Sequence, residues 1–115
     1  MNTWLFLEAQ LRFSDRLRVI TTRRYFADMQ VEDNDLYHGM FFVSAPPQIN
    51  PGEVVTVQIG MRNYPQDPCT EFQSGTRILL KEGPITRAEG SITRRWEHRS
   101  SAGTVIELQN ELMGC

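Results

Sequence analysis

Residues 4–13 read WLFLEAQLRF, with Leu5, Leu7, Ala9, Leu11 and Phe13 at every second position and Glu8, Gln10 and Arg12 between the later ones. Successive side chains of a strand point to opposite faces, so a period of two predicts a strand with one buried and one wet face. Trp4 and Phe6 fall on the face opposite Leu5 and Leu7, where period two places two large aromatics outside the core. The same period recurs at Tyr25, Ala27, Met29 and Val31, at Val55, Val57, Ile59 and Met61, and more briefly at Ile78 and Leu80. Residues 39–45, GMFFVSA, read as a short apolar strand stopped by Pro46 and Pro47, since proline cannot donate to a ladder. Residues 88–96, AEGSITRRW, close the set, with Gly90, Ile92 and Trp96 at even spacing.

Turn residues separate these runs. In Asn50-Pro51-Gly52-Glu53, proline supplies a fixed φ and glycine tolerates the positive φ that follows. Gly83 and Pro84 turn the chain between the last two strands, and residues 63–75 form a patternless loop with two prolines. Six strands with hairpin or loop connections, and no helical period among them, predict an all-β fold. The expected form is a small closed antiparallel barrel, which removes exposed edges by closing on itself. After Trp96 the breaker Ser-Ser-Ala-Gly precedes Val105, Leu108, Leu112 and Met113 at roughly helical spacing, which reads as a short helix or a frayed tail. The expected division is a barrel over residues 1–97 and a C-terminal extension over 98–115.

Composition narrows the function. A chain of 115 residues that is 40% hydrophobic and 23% charged is expected to fold as one domain around a conventional core. A net charge of −2 argues against a surface built throughout for polyanions, while leaving room for a local basic patch. Cys69 and Cys115, the only cysteines, have neither a disulfide framework nor a zinc-like spacing, and read as free thiols in a reducing compartment. The first residues lack a basic leader, and Glu8 interrupts their apolar run, so neither a signal peptide nor a membrane span is expected and the cytoplasm is the expected location.

Catalytic readings are weak. His38 and His98 are far apart in sequence, Cys69 sits in a proline-rich loop before Thr70 and Glu71, and Asp33 and Asp35 flank one side of a turn. Ser100 and Ser101 lack a nucleophile elbow. Each reads first as a solvated polar residue, so no enzyme activity, metal or cofactor is expected.

Leu7-Glu8-Ala9-Gln10-Leu11, Arg24-Tyr25-Phe26-Ala27, Gly39-Met40-Phe41, Asn50-Pro51-Gly52-Glu53 and the hairpin 76–92, TRILLKEGPITRAEGSI, follow one another in an order that resembles the C-terminal β-barrel, the third domain, of elongation factor Tu. The resemblance covers residues 4–96. In the hairpin, Lys81, Glu82, Gly83, Thr86 and Gly90 fit the family pattern, whereas Pro84, Ile85, Arg87 and Ala88 depart from it. In that family the barrel follows a GTPase domain and helps to clasp aminoacyl-tRNA, through the loop after its first strand and the glycine hairpin. No Gly-x-x-x-x-Gly-Lys-Ser/Thr loop occurs in these residues, so no nucleotide cofactor or hydrolysis is expected and the implied function is binding alone.

Two binding classes follow. In the first, tRNA or a translation factor is the partner. From Arg12 to Arg24 the chain carries five arginines, among them Arg16, Arg18, Arg23 and Arg24, against the single acid Asp15, and the resemblance adds Lys81 and Gly83. Guanidinium forks suit phosphates, and backbone contacts dominate such affinities, although clusters of this size also occur as plain solvated loops. Tyr25 and Phe26 are candidates to stack on a base, but period two assigns at least one of them to the core. In the second class Trp4 and Phe6 form a protein interface or homodimer patch on the same scaffold, unrelated to translation. The competing arrangement packs them under the C-terminal segment with Val105 and Leu108.

Overall fold

The computed structural model describes residues 1–16 and 18–113, so Cys115, expected to be a free thiol, lies outside the described residues. The elements are β1 (Asn2–Phe13), β2 (Ile20–Thr21), β3 (Phe26–Val31), β4 (Tyr37–Ser44), β5 (Gln48–Ile49), β6 (Val54–Met61), β7 (Arg77–Glu82), β8 (Ile85–Ser100) and α1 (Val105–Met113). Six strands close a barrel in the order β1-β6-β4-β3-β7-β8, every pairing antiparallel, while β2 and β5 form a separate two-stranded ribbon. The expected closed six-stranded barrel with a short C-terminal helix is therefore the observed architecture. Among the described residues no helix is long and apolar enough to cross a membrane.

The period-two residues line the barrel interior. Leu5, Leu7, Leu11, Met29, Ile59, Met61, Ile78 and Leu80 are all buried in one cluster, which Phe72 joins from the loop after β6. The Pro51-Gly52 turn forms as expected, with Gly52 at φ 81° and the Glu53 amide donating to the Asn50 carbonyl at 3.2 Å. Gly90 sits where β8 crosses β1: a Cβ there would lie 1.8 Å from the Gln10 carbonyl oxygen, so only glycine lets the seam close.

Three register shifts redirect side chains. Between Glu8 and Ala9 the β8 partners jump from Arg94 to Ile92, leaving Thr93 as the extra residue. Ile92 therefore faces the barrel interior, but Trp96, paired with Phe6, lies on the outer face, which corrects the even-spacing reading that put Gly90, Ile92 and Trp96 together. Between Leu80 and Lys81 the partners jump from Ala88 to Thr86, and the extra residue is Arg87, which is buried. On β4 the extra residue is Val43. β8 also runs to Ser100, past the expected barrel end at 97, because Asn2 and Thr3 continue the pairing.

A second apolar cluster lies outside the barrel wall. Trp4, Phe6, Phe41 and Val43 pack with Ala102 and Leu108, and Val105 and Trp96 border them. Trp4 meets Phe41 edge-on at 5.9 Å and Phe6 meets Trp96 edge-on at 5.8 Å. Gly60 makes room for this layer, because a Cβ there would stand 2.3 Å from the Phe41 ring. Helix α1 forms as its lid: Thr104 accepts the Glu107 amide at 3.2 Å as an N-cap, and Gln109 donates to the Phe42 carbonyl at 3.0 Å. Ser100 donates to Glu111 at 2.5 Å, and His98 Nε2 lies 3.2 Å from the same carboxylate. The hydrogen bond from Ser100, then that from His98, holds the Glu111 carboxyl below its ordinary value.

Candidate functional sites at the two ends of the barrel

The antiparallel strands place their connections at two ends. At one end lie the connection from β1 to β3, the connection from β4 to β6, and the β7–β8 hairpin. All six RNA-binding candidates fall here. Arg16, Arg18 and Arg24 are exposed on the first connection, Arg24 at φ 59°, and Arg23, also exposed, donates to Asn110 of α1 at 3.2 Å. Lys81 and Gly83 belong to the hairpin, where Gly83 takes a left-handed φ of 57° and Lys81 donates to Thr86 at 2.9 Å and to the Pro84 carbonyl at 3.3 Å.

Arg87 ties the hairpin to the arginine-rich connection. Its guanidinium donates to the Arg18 carbonyl at 2.8 Å and to the Glu82 carboxylate at 3.2 Å, while the Ser14 amide donates to the Arg87 carbonyl at 2.8 Å. Arg87 is thus turned inward by a bulge and spent on structure. Beside it opens a cleft of about 370 Å³ lined by Arg12, Asp15, Gly52, Thr86, Arg87 and Glu89.

Of the two candidate stacking aromatics, Tyr25 belongs to the interior. It lies on Phe42 with centroids 5.6 Å apart and donates to Glu82, and its hydroxyl is pushed up, first by burial and then by that hydrogen bond. Phe26 is exposed at this end of the wall, with the Arg62 guanidinium 5.1 Å from its centroid. Trp4 and Phe6, the protein-interface candidates, are 8% and 3% exposed. They lie beneath α1 in the arrangement that buries Leu108, so neither presents an open aromatic patch.

At the opposite end the long loop between β6 and β7 folds into the barrel mouth. Phe72 is completely buried and meets His38 of β4 edge-on at 4.9 Å. Arg95 staples the loop by donating to the carbonyls of Cys69 at 2.6 Å, Phe72 at 3.0 Å and Pro68 at 3.0 Å. The result draws together residues that sequence spacing kept apart. His38 Nδ1 lies 2.5 Å from Asp67 Oδ2, and its Nε2 lies 2.6 Å from Glu71 Oε1. One ligand atom each from His38, Asp67 and Cys69 fall within 4.8 Å of one another.

Cys69, at φ 50°, points its thiol into the interior. Burial first, then the carboxylates of Asp67 and Glu71, push that thiol up to about 12, so it is protonated at neutral pH and is not poised as a thiolate nucleophile. Partial burial works against ionisation of Asp67, but the hydrogen bonds from the Cys69 amide and His38 outweigh it and lower the carboxyl. The signal for this cluster was present in the sequence only as residue types, because a contact between β4 and a loop some thirty residues later has no spacing rule. Scans against protein-family models and a search of curated proteins find no match to this chain.

Proposed function

We propose that this barrel is a non-catalytic binding module whose cationic end holds an RNA backbone, in a translation-linked role with tRNA as the partner. The observation that carries the reading is convergence. Two segments far apart in sequence, the connection bearing Arg16, Arg18, Arg23 and Arg24 and the hairpin bearing Lys81 and Gly83, meet at one end of the barrel. Those are the two segments through which the resemblance to elongation factor Tu implies contact with tRNA. The exposed guanidiniums of Arg16, Arg18 and Arg24 suit phosphate oxygens. Phe26, half-exposed with the Arg62 guanidinium over one side of its ring, supplies the remaining side for one unstacked base.

The test is tRNA binding measured across a salt series for the native chain and for Arg16→Glu/Arg24→Glu. The reading expects affinity that falls steeply with salt, and a variant that binds more weakly, its slope reduced by about one for each phosphate that is no longer neutralised. Binding indifferent to both salt and charge reversal would refute it. The alternative, a protein-interaction module or homo-oligomer on the same scaffold, is weakened because α1 already covers Trp4 and Phe6.

A further inference from the structure

We propose that His38, Asp67 and Cys69 bind a divalent transition-metal ion of the zinc type, with Glu71 holding the remaining ring nitrogen of His38. The donor set is the first ground. An imidazole, a thiol and a carboxylate from two separate segments present atoms within 4.8 Å of one another, and this mixture of nitrogen, sulfur and oxygen donors suits zinc rather than calcium or magnesium. Bonds of about 2.0–2.3 Å to zinc put tetrahedral ligands roughly 3.3–3.8 Å apart, so small side-chain adjustments close this cluster on an ion.

The second ground is an imbalance in the cluster itself. One imidazole, 8% exposed, faces two carboxylates, so even a protonated His38 leaves a negative charge in excess. The nearby guanidinium of Arg95 is committed to three loop carbonyls. Glu71 Oε1 stands 2.6 Å from Nε2 but off the line of a hydrogen bond, and this buried oxygen has no hydrogen-bond partner. Metal at Nδ1 fixes the proton on Nε2, where it turns toward Glu71 and gives that oxygen its partner, the carboxylate–histidine–metal arrangement.

Binding is a proton exchange. The ion sheds water, the proton that Nδ1 shares with Asp67 passes through solvent to Nε2, and the freed Nδ1 and one Asp67 oxygen each donate a lone pair; the Cys69 S–H bond breaks and its proton leaves to solvent as the metal–sulfur bond forms. The short contact between Nδ1 and Asp67 is replaced by two bonds to the same ion. With Asp67 and thiolate bound, the divalent charge is neutralised, and the partly exposed side chains of Asp67 and Glu71, 36% and 31%, give an ion a way in from solvent.

The test is titration of chelator-treated protein with Co²⁺, read by near-ultraviolet thiolate-to-metal charge-transfer absorption, with Zn²⁺ competition and proton release measured in parallel. One equivalent of Co²⁺ is expected to give the band, Zn²⁺ to abolish it, and Cys69→Ser to remove it, while Cys115→Ser retains it. Glu71→Gln keeps the band but weakens affinity by about 10–100-fold, the usual effect of removing such an outer partner. Circular dichroism checks that each variant is folded. Absence of the band from the native chain, or its survival in folded Cys69→Ser, would overturn the proposal, as would its loss in Cys115→Ser.

Discussion

The two ends of this barrel carry opposite charge. Residues 12–24 hold five arginines against Asp15, whereas residues 32–38 and 62–76, at the other end, hold five acids against Arg62. A net charge of −2 conceals this separation, because composition averages over what antiparallel strands pull apart. Each end also buries polar side chains, among them one cationic or imidazole group. Arg87 at the cationic end reaches Glu82 and a backbone carbonyl, and His38 at the acidic end lies between Asp67 and Glu71. The ends differ in what is left over. Cationic groups remain exposed to solvent at the first, whereas buried acceptor capacity remains at the second, so the first suits an extended polyanion and the second a single small cation.

The comparison is broken most severely by removing the plug of the acidic end. Phe72→Ala should cost about 3–5 kcal/mol, as for other fully buried phenylalanines, measured by denaturant unfolding. If instead it costs under about 1 kcal/mol, the loop between β6 and β7 does not depend on that plug. At the cationic end Arg87→Met should cost about 1–3 kcal/mol, since the Arg18 carbonyl and Glu82 lose a charged donor. Because Arg87 is spent on structure, the proposed RNA reading expects the folded variant to bind tRNA as the native chain does, whereas a loss equal to that of Arg16→Glu/Arg24→Glu would place Arg87 on the binding surface.

The smallest expected effect concerns the lid between the ends. Glu111 is held below its ordinary value by Ser100 and then His98, so its contribution to docking α1 is present above the unfolded value of 4.5 and is lost as pH falls through the lower folded value. Trp4 fluorescence should report loosening of α1 below about pH 4.5, and Glu111→Gln should flatten that response. An identical acid transition in the variant would assign it to other carboxylates.

Much of the barrel can be read from residue pattern alone, because a wall with one apolar face imposes period two and turns demand Pro51-Gly52 and Gly83. The bulges at Thr93 and Arg87 cannot, since one inserted residue reverses every side chain beyond it without changing composition. Trp96 lies on the outer face for that reason, and nothing in its neighbourhood marks Arg87 as facing inward. The arginine-rich connection is visible as a charge run, and the fold adds the neighbouring hairpin at the same end. His38, Asp67, Cys69 and Glu71 look like unrelated loop and strand residues, because their meeting depends on Phe72 drawing the loop into the mouth and on Arg95 fastening it.

The most direct measurement is amide chemical-shift mapping of the native chain titrated with tRNA at low salt. The account predicts perturbations concentrated in residues 14–25 and 81–87, fading as salt rises, with residues 62–76 unmoved. Perturbations centred on residues 62–76 or on α1, or none at all at concentrations where RNA is in excess, would contradict it.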